Sequence, residues 1–550
     1  MAELKGIGVS PGAAGGPVYK VAPPPKLPTT RPAALDTEVE AKRAVAALAS
    51  VTAELTRRAD AAAAAGKGEA AEILRAEAMM AEDPELADAV AQAARDGMSA
   101  AHAIDAALAV HRAAFEEAGG YLAERVADLD DIRNRGVAIC LGLPMPGIPS
   151  PGHPFVLVAR DLAPADTAQL NRDEVVALVT EDGGPTSHTA ILARSLGIAA
   201  VVRCAGALDL ADGALVIVDG GRGSVRVDPG AAEVEAIAEA EAARQERLRS
   251  GGGPGRTSDG HQVALYANIG RAKDLIDDVE GVGLFRTELL YLDRSDAPSY
   301  DEQVAAYTAV FAALPGRKVV LRTLDAGADK PLPFLQQADE PNPALGVRGL
   351  RISWRRPDVL ETQLKAVAEA ARSASAEVWV MAPMVATPQE AATFVAACRA
   401  AGLPTAGAMV EIPAAALRAG ALLEEVDFLS IGTNDLSQYT FASDRQVGEL
   451  AELLDPWQPA LLSLIAMCAS AGKAAGKPVG VCGEAAADPG LAVVLTGLGI
   501  TSLSMSPRSI PAVREALAGH TLEDCQRLAA AALAAETAEL ARQAVLTPVT

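Results

Sequence analysis

Aromatic side chains make up only 3% of this 550-residue chain, so its cores must be built from aliphatic residues, alanine above all. Small side chains favour many helices with close interfaces. Cysteine is also sparse. The six, at positions 140, 204, 398, 468, 482 and 525, show no C-x-x-C spacing, which excludes a zinc ribbon or disulfide framework and leaves reduced thiols. No apolar run approaches the ~20 residues that span a bilayer, and Met1-Ala2-Glu3-Leu4 lacks the parts of a secretion signal, so a soluble, cytoplasmic protein is expected. Positive charge is short as well: 48 basic against 71 acidic residues leave a net charge of −23, which argues against nucleic acid and for a basic protein partner.

Against that background one of only six histidines stands out. Gly183-Gly184-Pro185-Thr186-Ser187-His188-Thr189 runs into the helical stretch Ala190 to Leu196. Glycines and proline make a turn, the hydroxyls supply cap chemistry, and His188 falls where backbone N–H groups are exposed. A lone histidine there can simply cap or pack. The glycine and hydroxyl neighbours point instead to an imidazole that accepts a phosphoryl group, held by the positive end of the helix dipole.

Length predicts three or four domains. Ile7 to Tyr19 reads as short strands around a turn, followed by the joint Pro23-Pro24-Pro25. From about Asp36 to Gly136 the pattern is helical, with breaks at Gly66, Asp83-Pro84 and Gly97, and predicts a bundle of roughly four helices. Its residues Glu69, Glu72, Glu77, Glu82, Asp83 and Glu85 form an acidic stretch, either a solvated face or a dock for a basic partner. Strand-like runs return at 155–158, 175–179, 199–202 and 215–218 around the His188 helix, giving an α/β domain into which the bundle is inserted. Residues 231–249 predict an exposed connecting helix, and Gly251-Gly252-Gly253-Pro254-Gly255 a hinge.

Beyond it, eight strand-helix units begin at Val263, Val282, Val319, Val378, Ala406, Phe428, Val479 and Leu503, the pattern of a (β/α)8 barrel. Arg286, Arg322, Glu411, Asn434-Asp435 and Cys482 all fall at or just after strand ends, where barrel enzymes place their chemistry, and Arg445 follows nearby. Arginines fork onto phosphate or carboxylate oxygens, the two carboxylates are hard donors suited to Mg²⁺, and a thiol could protonate an enolate carbon. Phosphoenolpyruvate is a metabolite that fits this set, its phosphoryl group passing to His188.

The motifs then resemble a known family. Gly8 to Gly12, Tyr121 to Arg125, Asp130 to Arg133, Gly183 to Arg194, Gly281 to Glu288, Leu321 to Lys330, Asn342 to Arg348, Met409 to Pro413, Ile431 to Tyr439 and Val481 to Glu484 match, in order, Enzyme I of the phosphoenolpyruvate-dependent sugar phosphotransferase system, the phosphoenolpyruvate–protein phosphotransferases. The resemblance implies a swivelling α/β phosphohistidine domain (1–32 and 137–228) with an inserted helical HPr-binding domain (33–136). A linker helix and hinge (229–255) then lead to a (β/α)8 TIM barrel of the phosphoenolpyruvate-binding type that dimerises (256–550).

It further implies that His188 is phosphorylated at Nε2 with Thr167 close by, and that Arg286, Arg322, Asn434, Asp435 and Arg445 bind phosphoenolpyruvate. Glu411 and Asp435 ligate Mg²⁺, or Mn²⁺ in its place, Cys482 donates the proton, and Lys330 and Arg348 line the pocket. HPr accepts the phosphoryl group, as the first step of sugar uptake. Three positions depart from the family pattern: Pro185 in place of arginine, Glu77 in place of histidine, and Ala328 in place of glycine. Phosphoenolpyruvate synthase and pyruvate phosphate dikinase share the histidine segment and barrel but need a nucleotide-binding domain, and no P-loop is present here. A nitrogen-related Enzyme I is expected to carry a sensory domain before Ile7. A scaffold without activity does not explain the full residue set.

Overall fold

The computed structural model describes the chain apart from residues 1–2, 11, 22–23, 30–35, 65–67, 119–125, 145, 150, 163–169, 171–173, 185–186, 277, 293, 295, 328–331, 333, 336–339, 446 and 547–550. Within helices, the side chains of 61–64, 68–73, 116–118, 127, 188, 191, 195, 249–250, 448–449, 451 and 546 also lie outside the described set. The chain divides into two compact units, Met1–Glu241 and Ala242–Thr550.

The first unit contains an eight-stranded sheet. Its strands are β1 (Glu3–Lys5), β2 (Ile7–Ser10), β3 (Ala13–Lys20), β4 (Phe155–Ala159), β5 (Val175–Thr180), β6 (Ala199–Val202), β7 (Leu215–Asp219) and β8 (Ser224–Val227). Their order is β1-β8-β7-β3-β4-β5-β6-β2, with β3 to β6 parallel and the outer pairs antiparallel. β4 is buried along its whole length, which is why it reads as an unbroken apolar run rather than an alternating one. One core, with Phe155, Leu157 and Leu178, also takes in the His188 helix through Ala190 and Ala193; a second holds Val156, Val158 and Val218.

Between β3 and its parallel neighbour β4 the chain makes the helical bundle, so the bundle is an insertion in the sheet. Five helices lie among the described residues: Thr37–Ala64, Gly68–Ala81, Pro84–Arg95, Ala100–Ala118 and Val126–Leu141. They share a core of alanine, leucine and valine. Asp83 caps the third by accepting the N–H of Glu85, with Pro84 in the first turn. The last helix does not stop at Gly136 but runs to Leu141. A Cβ on Gly136 would come within 3.2 Å of two Ile104 carbons, so that glycine serves close helix contact rather than termination.

The acidic stretch needs a correction. Glu82, Asp83 and Glu85 are exposed, but Glu77 is buried, hydrogen-bonded to Asp131, while Arg135, buried too, gives its Nε to Asp131. Glu77 therefore faces the core and adds nothing to a docking surface. Burial, then the Asp131 hydrogen bond and charge, push its carboxyl far above the usual carboxylate range. An acid whose folded pKa lies above its unfolded one holds more protons when folded, so its contribution to stability is lost as pH rises through that interval. Glu77→Gln mimics the protonated form. Thermal melts from about pH 6 to about pH 9 should show the first unit of the native chain losing stability faster than the variant; parallel curves would contradict the assignment.

The connecting helix forms, as Ala231–Ser250, and the glycines after it are hydrogen-bonded. Gly251 O accepts from Arg514 Nη1 (2.7 Å), Gly253 N donates to Asp278 (3.3 Å) and Gly255 N to Glu280 (2.9 Å). All of these partners lie in the second unit.

That unit is a closed barrel of eight parallel strands. They are β9 (Ala264–Ile269), β10 (Gly281–Arg286), β11 (Lys318–Arg322), β12 (Glu377–Ala382), β13 (Ala406–Val410), β14 (Phe428–Ile431), β15 (Val479–Val481) and β16 (Ser502–Met505), each near its expected place. An aliphatic layer fills the space between strands and helices. Leu284, Val320, Met381, Met409, Phe428 and Cys482 fill the barrel itself.

Candidate active site

The carboxyl-terminal ends of the barrel strands gather the charged residues singled out in the sequence. Arg286 closes β10 and Arg322 closes β11, and the two are register partners in adjacent strands, Arg286 exposed and Arg322 buried. Glu411 follows β13 directly, Asn434 and Asp435 lie in the first turn of the helix Thr433–Phe441 after β14, and Cys482 follows β15. Arg445 sits in the loop beyond that helix, where its N–H donates to Gln438 (3.3 Å).

Arg322 is the centre of the cluster. Its Nη2 meets Glu288 at 2.6 Å, and its Nη1 lies 3.3 Å from Asp325 and 3.5 Å from Glu411. Burial opposes its charge, but Glu288, Asp325 and Glu411 outweigh that and raise its pKa further, so it is permanently cationic. Its Nε has no hydrogen-bond partner among the described residues, a buried donor left for an incoming oxygen. Arg348 is fully buried. Its guanidinium spans Asp325 (3.2 Å, two bonds) and Asp435 (3.1 Å, two bonds), so two carboxylates are each gripped by two parallel N–H donors.

Glu411 is buried, its Oε2 taking the N–H of Met384 at 2.8 Å. Met384 adopts φ +58°, a strained backbone for that residue, and thereby presents its N–H to the carboxylate. Gly432 leaves room on the other side: a Cβ there would lie 2.8 Å from Glu411 Cγ. Burial, then the charges of Asp325 and Asp435, raise the pKa of Glu411 against the pull of Arg322 and Arg348. Within the ion-paired cluster four carboxylates, Glu288, Asp325, Glu411 and Asp435, thus meet only two guanidiniums, those of Arg322 and Arg348. Two hard oxygen donors with that surplus fit a divalent cation that draws its other ligands from substrate and water; among the described residues no group of three or more His, Cys, Asp or Glu is placed to hold a metal by itself.

Cys482 is buried, and burial raises its thiol to about 11, while a hydrogen bond with Ser430 acts in the opposite direction. At neutral pH it keeps its proton. Asn434 Oδ1 receives the N–H of Glu484 at 3.1 Å, fixing the turn after β14 to the one after β15.

In the first unit, His188 is the first residue of the helix His188–Leu196, capped by Ser187, whose Oγ accepts the N–H of Ala190 at 3.2 Å. Thr189 donates to Asp161 (2.9 Å), and Arg194 holds Val9 O (3.3 Å), tying the helix to its sheet. The His188 side chain, Thr167, Lys330, Pro185 and Ala328 lie outside the described residues. Glu288 and Asp325 were not assigned a role from sequence. Asp325 lies three residues after Arg322 at a strand end, a signal that was available; its pairing with Arg348 follows from the fold alone.

Family comparisons agree with this arrangement. The PEP-binding domain of PEP-utilising enzymes matches residues 244–522, their mobile domain 151–223, and their N-terminal domain 5–125. The phosphoenolpyruvate-protein phosphotransferase of Streptomyces coelicolor is 55% identical, covering 98% of each chain. That of Haloferax volcanii is 41% identical over 86% of each chain, and that of Bacillus subtilis 37% identical over 98% of each. With its barrel, its strand-end arginines and this likeness along nearly its whole length, the chain belongs to the family of phosphoenolpyruvate-protein phosphotransferases.

Proposed function

We propose that the chain moves the phosphoryl group of phosphoenolpyruvate first to Nε2 of its own His188 and then to a histidine of HPr, releasing pyruvate, as the opening step of sugar uptake. The observation that carries this reading is Arg322: a buried, fully charged guanidinium among carboxylates at a strand end, with one N–H unused. Arg286, Arg322, Asn434 and Arg445 bind the substrate's anionic oxygens. Asp435 serves there as well, and Glu411 and Asp435 hold Mg²⁺, or Mn²⁺ in its place, which supplies positive charge against the phosphate when bound. Arg348 and Lys330 line the same pocket, Arg348 holding Asp435 by two N–H bonds.

The reaction breaks the bond between phosphorus and the enol oxygen and forms one between phosphorus and the imidazole nitrogen. The electron pair left on the enolate takes a proton at carbon from the Cys482 thiol, which stays protonated because of its burial. Ser187 and the first-turn N–H groups favour the negative charge that His188 acquires, with Thr167 near it. We further propose the domain limits 1–32 with 137–228, 33–136 for the HPr-binding bundle, 229–255 as connection, and 256–550 as a barrel that forms a homodimer. The chain works in the cytoplasm, in keeping with the absence of any helix, among the described residues, long and apolar enough to cross a membrane.

Labelled phosphoenolpyruvate with Mg²⁺ and no nucleotide should leave acid-labile label on the chain, chased off by HPr; a requirement for ATP would overturn the reading. Cys482→Ala should slow pyruvate formation by about 10²–10⁴-fold. Unchanged single-turnover rates would remove the thiol from the mechanism.

A further inference from the structure

The opposite, amino-terminal mouth of the barrel contains a cavity of about 160 Å³. Tyr266, Lys318, Trp379, Phe428, Pro478 and the serines 430, 502 and 504 line it. Lys318 is half-buried, and its ammonium lies 3.5 Å from the Trp379 ring centroid and 5.9 Å from that of Tyr266. No ion pair or hydrogen bond to that ammonium is formed among the described residues. Glu377 is the acidic group that acts on it, and its Oε1 is already engaged by the Trp379 indole N–H at 2.8 Å. Burial lowers the Lys318 pKa, and the charge of Glu377 offsets this only in part.

Three features make this more than a packing void. An ammonium with no hydrogen-bond acceptor among the described residues faces a cavity that opens to solvent. The Ser502 hydroxyl on β16, which makes no side-chain hydrogen bond among the described residues, can donate to an anion in the cavity, whereas Ser504 already donates to Asn268 and Ser430 is bonded to the Cys482 thiol; no carboxylate is among the lining residues. The rest of the wall is aromatic and aliphatic. A dry cavity of about 150 Å³ admits a guest the size of benzene, so this one has room for a six- to seven-carbon body.

We propose that the amino-terminal mouth of the barrel is a binding site for a small carboxylate with a compact apolar body, its charge on Lys318 and its body against Trp379 and Phe428. The site is built on residues at the starts of β11 and β12, and its argument is independent of the phosphoryl-transfer reading. Ser430 lines the cavity and also hydrogen-bonds the Cys482 thiol, so a ligand here touches a neighbour of the proton donor.

Benzoate is the probe, with benzyl alcohol as its uncharged counterpart, titrated calorimetrically into the full chain. Saturable binding of benzoate at one equivalent, about tenfold or more tighter than benzyl alcohol, retained in the presence of saturating phosphoenolpyruvate, is the expected result. Lys318→Met should weaken it about tenfold and Lys318→Arg preserve it. No saturable heat, equal affinity for the alcohol, or displacement by phosphoenolpyruvate would overturn the proposal. The alcohol comparison needs no variant and so stands even where a substitution disturbs folding.

Discussion

His188→Ala leaves the chain without any label from phosphoenolpyruvate, and HPr downstream stays unphosphorylated. On the proposed function the effect is all-or-none, because the imidazole would be the acceptor itself and no other nitrogen nucleophile stands at the helix start. Stability should hardly change. The residue occupies the first helical position, where Ser187 supplies the cap and Ala190 and Ala193 the buried contacts, so alanine there costs no more than about 0.5 kcal/mol. Acid-labile label counted after gel separation, next to a thermal melt, checks both halves. Label persisting in a folded variant would move the phosphoryl acceptor elsewhere.

Arg322→Gln is expected to be nearly as damaging, for a different reason. Three carboxylates, Glu288, Asp325 and Glu411, lie within 3.5 Å of that guanidinium. Removing one partner from a buried ion network strands the others, at about 3–5 kcal/mol. Turnover should fall by about 10³-fold or more through lost charge stabilisation in the transferring state. A urea midpoint and a pyruvate-release assay measure the two effects separately. Glu288→Gln should recover part of the stability in the double variant, because the charge it removes is one of those stranded; unaltered stability in the double variant would show that the network is not coupled.

Most of the architecture could be read before the fold was known. The eight barrel strands announced themselves because buried parallel strands are short apolar runs separated by helical spacing, and Phe428-Leu-Ser-Ile or Val319-Val-Leu have no competing helical periodicity. The strand-end residues were legible for the same reason, since polarity along each strand fixes which end faces the chemistry. What escaped was whatever depends on contact between distant segments. Glu77 looks like its exposed neighbours Glu82 and Glu85, and only its packing against Asp131, some fifty residues on, buries it. Arg348 looks like a pocket residue, and its bridging of Asp325 and Asp435 requires two parts of the long connection after β11 to meet the helix that follows β14. The glycine run after Ser250 has the composition of a flexible joint, yet Arg514, Asp278 and Glu280 hold it.

The thiol of Cys482 has one more implication. Peroxide and electrophiles attack the thiolate, and a group that ionises only near 11 presents about one part in ten thousand of that form at neutral pH. The burial that would keep a proton loaded for carbon therefore also keeps the thiolate scarce in the resting chain, which slows attack on this sulfur by peroxide and electrophiles.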